Sequence, residues 1–248
     1  MIKISIITTT YNSASTVRDT LESVVNQSYN NIEHIIIDGN SKDDTLNIIA
    51  EFPHVAKVVS EPDKGIYDAM YKGIKLATGD VVVMLNSDDF YEHDQVIKTI
   101  ANCFEMQPQI DIVYGNIYYV NHSDTNKIIR KVRSKPYYDN FFEDGEIVPH
   151  PTFFAKRKIY QQLGEYASNF EFVADYEYTI RALKIHKFKT YYLDEFLVKM
   201  RMGGATTKNI GSILKVNQEI LRAFKKNNLK TGVSFLTKRI YKKLSQFV

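Results

Sequence analysis

The chain has 248 residues, 44% hydrophobic and 25% charged, which is the length and composition of an ordinary globular protein with one large α/β domain, or one such domain and an appendage. Its single cysteine, Cys103, excludes an intramolecular disulfide framework and fits a reducing compartment. No apolar stretch is as long as a transmembrane helix, and the first residues lack a signal-peptide pattern, so we expect a cytoplasmic protein.

The first hundred residues alternate between strand and helix patterns. Alternating or β-branched residues predict strands at residues 2–8, 32–38, 55–60 and 81–85. Apolar residues at helical spacing predict a helix after each of these strands. Four such units predict an α/β fold with a single, Rossmann-like, mostly parallel sheet and helices on both faces.

Beyond residue 108 the pattern changes. Residues 111–120 and 127–133 predict an antiparallel strand pair, and the aperiodic residues 134–147 are typical of a loop over a site. Three further short strands are predicted at residues 150–154, 189–193 and 196–200, and a helix is predicted at residues 175–185.

The net charge of +3 is unevenly distributed along the chain. Residues 208–248 hold ten Lys or Arg and one acid, whereas residues 1–207 hold 22 basic and 28 acidic residues, so the two parts carry +9 and −6. Two amphipathic helices are predicted in this basic tail. It could lie on an anionic membrane surface, or it could dock on the domain with its lysines in solvent.

We therefore expect one domain at residues 1–207, followed by the helical tail at residues 208–248. Residues 1–107 and residues 108–207 would form its two halves, and the second half would add the antiparallel strands.

Polar residues follow three of the predicted parallel strands. They are Thr9, Tyr11, Asp38, Asn86, Asp88 and Asp89. Because the carboxyl ends of parallel strands meet at one edge of a sheet, we expect these side chains to converge on one crevice. There a Tyr can stack on a base, an Asp can accept an N–H or a sugar hydroxyl, and carboxylates can hold a hard cation beside phosphate oxygens. Taken alone, Asp88 and Asp89 fit equally well a turn that caps the next helix.

The chain contains neither G-x-G-x-x-G nor G-x-x-x-x-G-K-[ST]. A diphosphate bound here would thus lack a glycine loop and would need a metal.

Four stretches, in this order, resemble the motifs of family 2 glycosyltransferases, including bacterial enzymes of glycan and polysaccharide biosynthesis. They are residues 4–12, 36–45, 61–70 and 85–89. The resemblance implies the GT-A fold and an inverting enzyme. It implies a nucleotide-diphosphate sugar as donor, best matched by a UDP-sugar, and a glycan or lipid-linked glycan as acceptor. It also implies a divalent cation, Mg²⁺ or Mn²⁺, and no nucleic-acid partner.

The same resemblance implies roles for individual residues. Asp175 would be the catalytic base, and His150 would contact the acceptor. Asp88 and Asp89 would hold the metal. The donor contacts would be Thr9, Tyr11, Asp38, Asp63, Asn86 and Asp88. For Asp175 an N-cap, for Asp63 a loop turn and for His150 a structural role stay open as alternatives. Arg201 would meet the diphosphate or face solvent.

Two positions depart from the family pattern. Asn86 stands at the first position of the D-x-D motif, so ligation falls on Asp88 and Asp89, and the sequence does not choose between them. Ala174 precedes Asp175 where the family often has Glu, but the carboxylate that the chemistry requires is kept.

Two other classes of function remain open. A sugar nucleotidyltransferase also uses an α/β sheet, acids and a metal, but it usually needs a Gly-rich basic loop where this chain has residues 8–12. A non-catalytic nucleotide-sugar or glycan-binding module is suggested only by Asn86. Lipid-linked acceptors would place the enzyme at the inner face of the plasma membrane, peripherally bound through the basic tail.

Overall fold

The computed structural model of the protein describes residues 1–203, 210–230 and 234–247. Its centre is one nine-stranded sheet. Four strands make the first half of the sheet: β1 (Ile4–Thr10), β2 (Ile32–Asp38), β3 (Val55–Ser60) and β4 (Val81–Met84). They pair in the order β3-β2-β1-β4 and are all parallel, so the parallel sheet predicted from the βα alternation is confirmed.

Helices cover both faces of this sheet, as predicted. The helices of this half are α1 (Val17–Val25), α2 (Thr45–Ala50), α3 (Ile66–Leu76) and α4 (Val96–Met106). Since successive strand residues point to opposite faces, Ile6 of β1 packs with α4, whereas Ile7 packs with α3. Both isoleucines are fully buried.

The second half adds strands that are mostly antiparallel to their neighbours. They are β5 (Asp89–Tyr91), β6 (Ile112–Val120), β7 (Ile128–Val132), β8 (Phe154–Lys156) and β9 (Thr190–Arg201). The sheet continues from β4 as β8-β6-β9-β5, with β7 paired to β6. The predicted antiparallel pair is β6 and β7.

The structure corrects several local expectations. Residues 189–193 and 196–200 lie in one continuous strand, β9, whose pairing with β6 is irregular. Residues 150–152 form a 3₁₀ turn before β8, and a helix that was not expected, α5 (Arg157–Leu163), follows. The helix predicted at residues 175–185 is α6 (Ala174–Ile180) followed by a π turn at Arg181–Ile185. β5 was not expected either.

The basic tail contains two helices, α7 (Ile210–Lys226) and α8 (Ser234–Leu244). Ile220, Phe224 and Phe235 are buried and join the same core as α3 and α6. The predicted domain boundary at residues 207/208 lies outside the described residues. Among the described helices, none combines the length and apolarity needed to cross a bilayer.

Candidate functional site

The ends of three parallel strands meet at one edge of the sheet. Thr10 lies opposite Asp38 in the register of β1 and β2, and its Oγ1 donates to Asp38 Oδ1 over 2.9 Å. Thr9 Oγ1 donates to Asn86 Oδ1 over 3.3 Å. These contacts confirm that the carboxyl ends of β1, β2 and β4 converge, because each bond joins side chains at or just after the ends of different strands.

Asp38 is fully buried and is surrounded by donors of the protein itself. Its Oδ1 accepts from Thr10 and Ser41 hydroxyls, and its Oδ2 accepts from the Ser60 hydroxyl and the Ser41 backbone N–H. Burial raises the pKa of Asp38, but these four hydrogen bonds outweigh it and hold the pKa below its usual value. The carboxylate therefore fixes the geometry of the crevice wall, and its role as a base contact stays a prediction.

Gly39, directly after Asp38, lies between Tyr11 and Asp63. Tyr11 is 66% exposed. A Cβ added to Gly39 would lie 2.7 Å from Asp63 Oδ2 and 3.3 Å from Tyr11 Cδ2. A larger residue at this position would therefore require the Asp63 side chain to move. An exposed tyrosine ring can stack on a nucleobase, and a neighbouring carboxylate can accept a hydrogen bond from an N–H group of that base.

The two predicted metal ligands follow β4. Asp89 begins β5 and is 1% exposed, and its Oδ2 has no hydrogen-bond partner in the described part of the chain. Burial, and then the Asp88 carboxylate, raise the pKa of Asp89 well above its usual value. Burial also raises the pKa of Asp88, against the Arg201 and His122 charges.

A divalent cation fits this pair. It would complete the unsatisfied oxygen of Asp89 and relieve the repulsion from Asp88. Within residues 1–203, 210–230 and 234–247 no group of three or more His, Cys, Asp or Glu could hold a metal ion. Further ligands would therefore be oxygens of a bound substrate or water, as is usual for Mg²⁺ with phosphates.

Arg201 anchors the loop that carries these acids. Its Nη1 donates to the Asp88 carbonyl over 2.8 Å, and its Nη2 pairs with Asp19. The guanidinium is buried and lies 5.0 Å from the Phe90 ring centre. The solvent-facing alternative for Arg201 is therefore wrong.

Asp175 lies in the first turn of α6 and is half-buried. The Tyr67 hydroxyl donates to Asp175 Oδ1 over 3.1 Å. The Tyr67 ring packs against Tyr166, whose hydroxyl is 3.2 Å from His150 Nε2. Burial lowers the pKa of His150, whereas the nearby Asp175 carboxylate raises it. His150 thus belongs to the same group of side chains as Asp175.

Tyr119 of β6 connects the two acidic regions. Its hydroxyl lies within electrostatic reach of Asp88, Asp89 and Asp175, and burial with these three carboxylates raises its pKa. The Arg130 guanidinium, 4.7 Å from the Tyr119 ring centre, has the opposite effect. In the strand register Tyr119 and Asp89 also lie opposite the same residue of β9, Met200, so Tyr119 lies beside the acids that follow β4.

Sequence reasoning did not identify Tyr67, Tyr119 or Arg130. Tyr67 lies in the motif at residues 61–70, where it counted only as a helix residue. Tyr119 and Arg130 lie on a strand pair far from the motifs, and no local signal marks them.

The chain is similar in sequence to known glycosyltransferases. A family profile described as "Glycosyl transferase family 2" matches residues 5–164. A curated relative, the "PGL/p-HBAD biosynthesis glycosyltransferase" of Mycobacterium bovis, is 27% identical over 230 residues, covering 88% of this chain and 82% of the relative.

Solved structures show the same fold at low sequence identity. TarS of S. aureus, in complex with UDP-GlcNAc, superposes with a TM-score of 0.68 at 16% identity, over 98% of this chain and 73% of TarS. The mannosyltransferase PcManGT of Pyrobaculum calidifontis, in complex with GDP-Man and Mn²⁺, gives a TM-score of 0.68 at 14% identity, over 97% and 68% of the two chains.

Proposed function

Since the chain belongs to glycosyl transferase family 2 and has the GT-A fold of its structural neighbours, we propose that this glycosyltransferase moves a sugar from a UDP-sugar to a hydroxyl of a glycan or lipid-linked glycan, with inversion at the anomeric carbon. The UDP-GlcNAc in TarS and the GDP-Man in PcManGT support a nucleotide-sugar donor. The exposed Tyr11 ring and the Asp63 carboxylate, which both lie beside Gly39, support a nucleobase at this end of the crevice.

We propose that Asp88 and Asp89 hold a divalent cation, Mg²⁺ or Mn²⁺, and the Mn²⁺ in PcManGT supports this assignment. When bound, the ion would neutralise the charge that develops on the departing diphosphate. Thr9 and Asn86 flank the pair and would contact the donor.

Asp175 is proposed as the general base. Its carboxylate, oriented by the Tyr67 hydroxyl, would take the proton of the acceptor hydroxyl as that oxygen attacks the anomeric carbon. The sugar–phosphate bond breaks on the opposite side, which inverts the configuration. His150, beside Tyr166, would contact the acceptor.

One observation carries this proposal: the buried Oδ2 of Asp89, next to Asp88 in the chain, has no hydrogen-bond partner among the described residues, and a bound cation would supply one.

The test is nucleotide release from a panel of nucleotide sugars with Mg²⁺ or Mn²⁺, followed by the anomeric configuration of the product. We expect release that a chelator abolishes and that Asp175→Asn reduces by about a thousandfold. The matched control is Glu171→Gln, an exposed acid four residues away. Metal-independent nucleotide binding without release would favour the binding-module alternative, and retained configuration would refute the single displacement.

We propose that residues 1–107 form the donor half, residues 108–207 the acceptor half and residues 208–248 the tail, and that α8 rests on an anionic membrane surface at the inner face. The exposed Ile240, Tyr241 and Leu244 of α8 support the membrane contact, because they lie beside its lysines.

Removing the tail would expose the core, since Phe224 and Phe235 are buried. The membrane contact is better tested by flotation of the full chain with anionic liposomes. We expect Ile240→Gln with Leu244→Gln to lose flotation, while Met106→Gln, an exposed apolar residue on α4, keeps it. Equal flotation of all variants would refute the contact.

A further inference from the structure

Helix α8 carries two rows of cations that differ in their surroundings. Lys238 and Lys242, one turn apart, form ion pairs with Asp144 and Glu146 in the loop after β7. These two lysines are neutralised, and they attach the helix to the loop.

The second row, Arg239 and Lys243, has no acidic partner within the described parts of the chain. Arg239 Nη1 donates to Asn217 Oδ1, a neutral acceptor, over 2.7 Å. Arg130 of β7 likewise donates to the amide oxygen Oε1 of Gln246 over 2.9 Å and meets no carboxylate among the described residues. None of these three cations therefore has a counter-charge among the described residues.

The backbone holds this cluster in place. Beyond α8, the Lys131 N–H donates to the Gln246 carbonyl over 2.8 Å, and Phe247 forms a β-bridge with Arg130. The Arg130 guanidinium lies 4.7 Å from the Tyr119 ring centre and 5.9 Å from that of Phe247. Gln246 and Phe247 are thus fixed beside β7, and the cluster does not depend on one flexible side chain.

The three groups lie near one another, because Arg239 and Lys243 are one turn apart on α8 and Arg130 bonds to Gln246, three residues after Lys243. Burial, then the Arg130 and Arg239 charges, lower the pKa of Lys243. Burial and the Arg130 charge lower the pKa of Arg239, against the effect of the Tyr176 hydroxyl. Like charges that are partly removed from water cost free energy unless an anion joins them.

The cluster lies beside the crevice. Arg130 is opposite Tyr119 in the register of β6 and β7, and its guanidinium lies 4.7 Å from the Tyr119 ring centre. Tyr119 and Asp89 are in turn opposite the same residue of β9, Met200, and the Asp175 carboxylate acts on the pKa of Tyr119. An anion held here would therefore lie beside a substrate bound in the crevice.

We propose that Arg130, Arg239 and Lys243 bind a phosphate group carried by the acceptor, so that the acceptor of the proposed transfer, on which this inference rests, is a phosphorylated glycan or a lipid-linked phosphate. This set of side chains suits a phosphate group. Each arginine offers paired N–H donors to the phosphate oxygens, and the lysine adds a positive charge on a flexible side chain.

The test is a calorimetric titration of the full chain with inorganic phosphate. UDP and Mn²⁺ are present at saturating concentration, so that phosphate cannot bind at the place of the donor diphosphate. We expect Arg130→Gln and Arg239→Gln to weaken phosphate binding about tenfold each, and the exposed Lys243→Gln about threefold. Arg239→Lys should restore part of the loss. The matched controls Lys238→Gln and Lys242→Gln remove the same charge from the same helix and should change the affinity less than twofold.

Equal losses in the controls would overturn the proposal, since any cation of α8 would then serve. Phosphate binding that is abolished by UDP and Mn²⁺, or that is unchanged in Lys243→Gln and Arg239→Gln, would also overturn it. Vesicles of phosphatidylcholine with 20% phosphatidylglycerol distinguish the sources, because a lipid phosphate predicts that the same variants lose vesicle binding. Vesicle binding that depends on the cluster without any binding of inorganic phosphate would refute a phosphate site.

Nucleotide release by the unaltered protein is measured in the same series. Its absence with every donor would refute the proposed function while the phosphate titration still decides the cluster. Release without phosphate binding would refute the cluster alone.

Discussion

The Tyr67 hydroxyl offers a sharp test of the proposed base, because Tyr67→Phe removes one hydrogen bond and little else. Tyr67 donates to Asp175 Oδ1 over 3.1 Å. Burial and the Asp175 carboxylate raise the pKa of Tyr67 well above its usual value of 10, so the hydroxyl keeps its proton and acts as the donor at any working pH. Phenylalanine keeps the ring, which packs against Tyr166 with ring centres 5.4 Å apart.

The expected size of the effect follows from this single bond. A hydrogen bond to a charged group is worth about 1.5–3 kcal/mol when its partner is protected from water. Asp175 is half-buried, so water can partly replace the donor and the lower end applies. A loss of about 1.5 kcal/mol in the transition state reduces kcat roughly tenfold. The free energy of unfolding should fall by only about 1 kcal/mol.

The assay is steady-state release of nucleotide with a donor that the panel has identified. We expect kcat to fall while the KM for the donor changes little, since Tyr67 contacts Asp175 and not the residues around Tyr11, where the donor base is proposed to bind. Tyr71→Phe is the matched control: it lies one turn further along α3, is half-buried and packs on the same core, with the Lys75 ammonium 4.8 Å from its ring centre.

The reasoning fails if Tyr67→Phe keeps the kcat of the unaltered enzyme while Asp175→Asn is inactive. It also fails if Tyr71→Phe loses as much activity, because the effect would then come from the packing of α3. Equal thermal unfolding of the two variants would exclude a difference in folding as the cause.

Three further predictions concern the proposed metal ligand Asp89, the buried His34 and the exposed Tyr11. Mn²⁺ should raise the Tm of the unaltered protein, and Asp89→Asn should abolish that rise. Asp94 is exposed, so the control Asp94→Asn should keep the rise. An unchanged rise in Asp89→Asn would show that Asp89 is not a metal ligand. Burial, and then His54, lower the pKa of His34 to about 3. Below about pH 6.5 the unfolded chain therefore binds a proton at His34 that the folded chain does not bind. The free energy of unfolding should fall by about 2 kcal/mol between pH 6.5 and pH 5. In His34→Gln this loss should largely disappear, as urea titrations at the two pH values would show. Tyr11→Ala should weaken nucleotide binding about tenfold through lost stacking, which calorimetry would measure against an exposed tyrosine of α8, Tyr241→Ala.

Local patterns were sufficient for the parallel half of the fold. The four strands and the helices between them each carry their own periodicity, and short right-handed connections leave few ways to assemble them. The convergence of Thr9, Asp38 and Asn86 followed from that assembly. By contrast, β5 has three residues and exists because Phe90 pairs with Lys199, more than a hundred residues away. No local pattern encodes such a pairing.

Helix α5 is a different kind of omission. Its buried residues Ile159, Tyr160 and Leu163 have helical spacing, and Gly164 follows with φ of 69°, a conformation that favours glycine. The signal was present in seven residues, but a helix so short is stabilised by its packing rather than by its own sequence.

The crevice was predicted from strand ends, and the residues missed in it come from elsewhere. Tyr67 enters from a helix, Tyr119 from the middle of a strand and Arg130 from the strand paired with it. Their side chains reach the site only because the sheet curls and β6 pairs with β9, contacts that span up to about eighty residues. Sequence reasoning therefore found the groups that end strands and missed those that only tertiary packing brings in.

The departure at Asn86 can be understood from its neighbours. Its Oδ1 accepts from the Thr9 hydroxyl over 3.3 Å, and its backbone carbonyl accepts from the Asp89 N–H over 3.0 Å. The nearby Asn86 amide acts to lower the pKa of Asp89, against the larger effects of burial and of the Asp88 charge, which raise it. An aspartate at this position could accept from Thr9 but could not donate to Asp89 when ionised. It would also add a third negative charge beside a carboxylate that burial already makes costly. We infer that Asn86 orients Asp89 for the cation, which leaves ligation to Asp88 and Asp89, and that Asn86→Asp would make the metal-free protein less stable while strengthening its dependence on the ion.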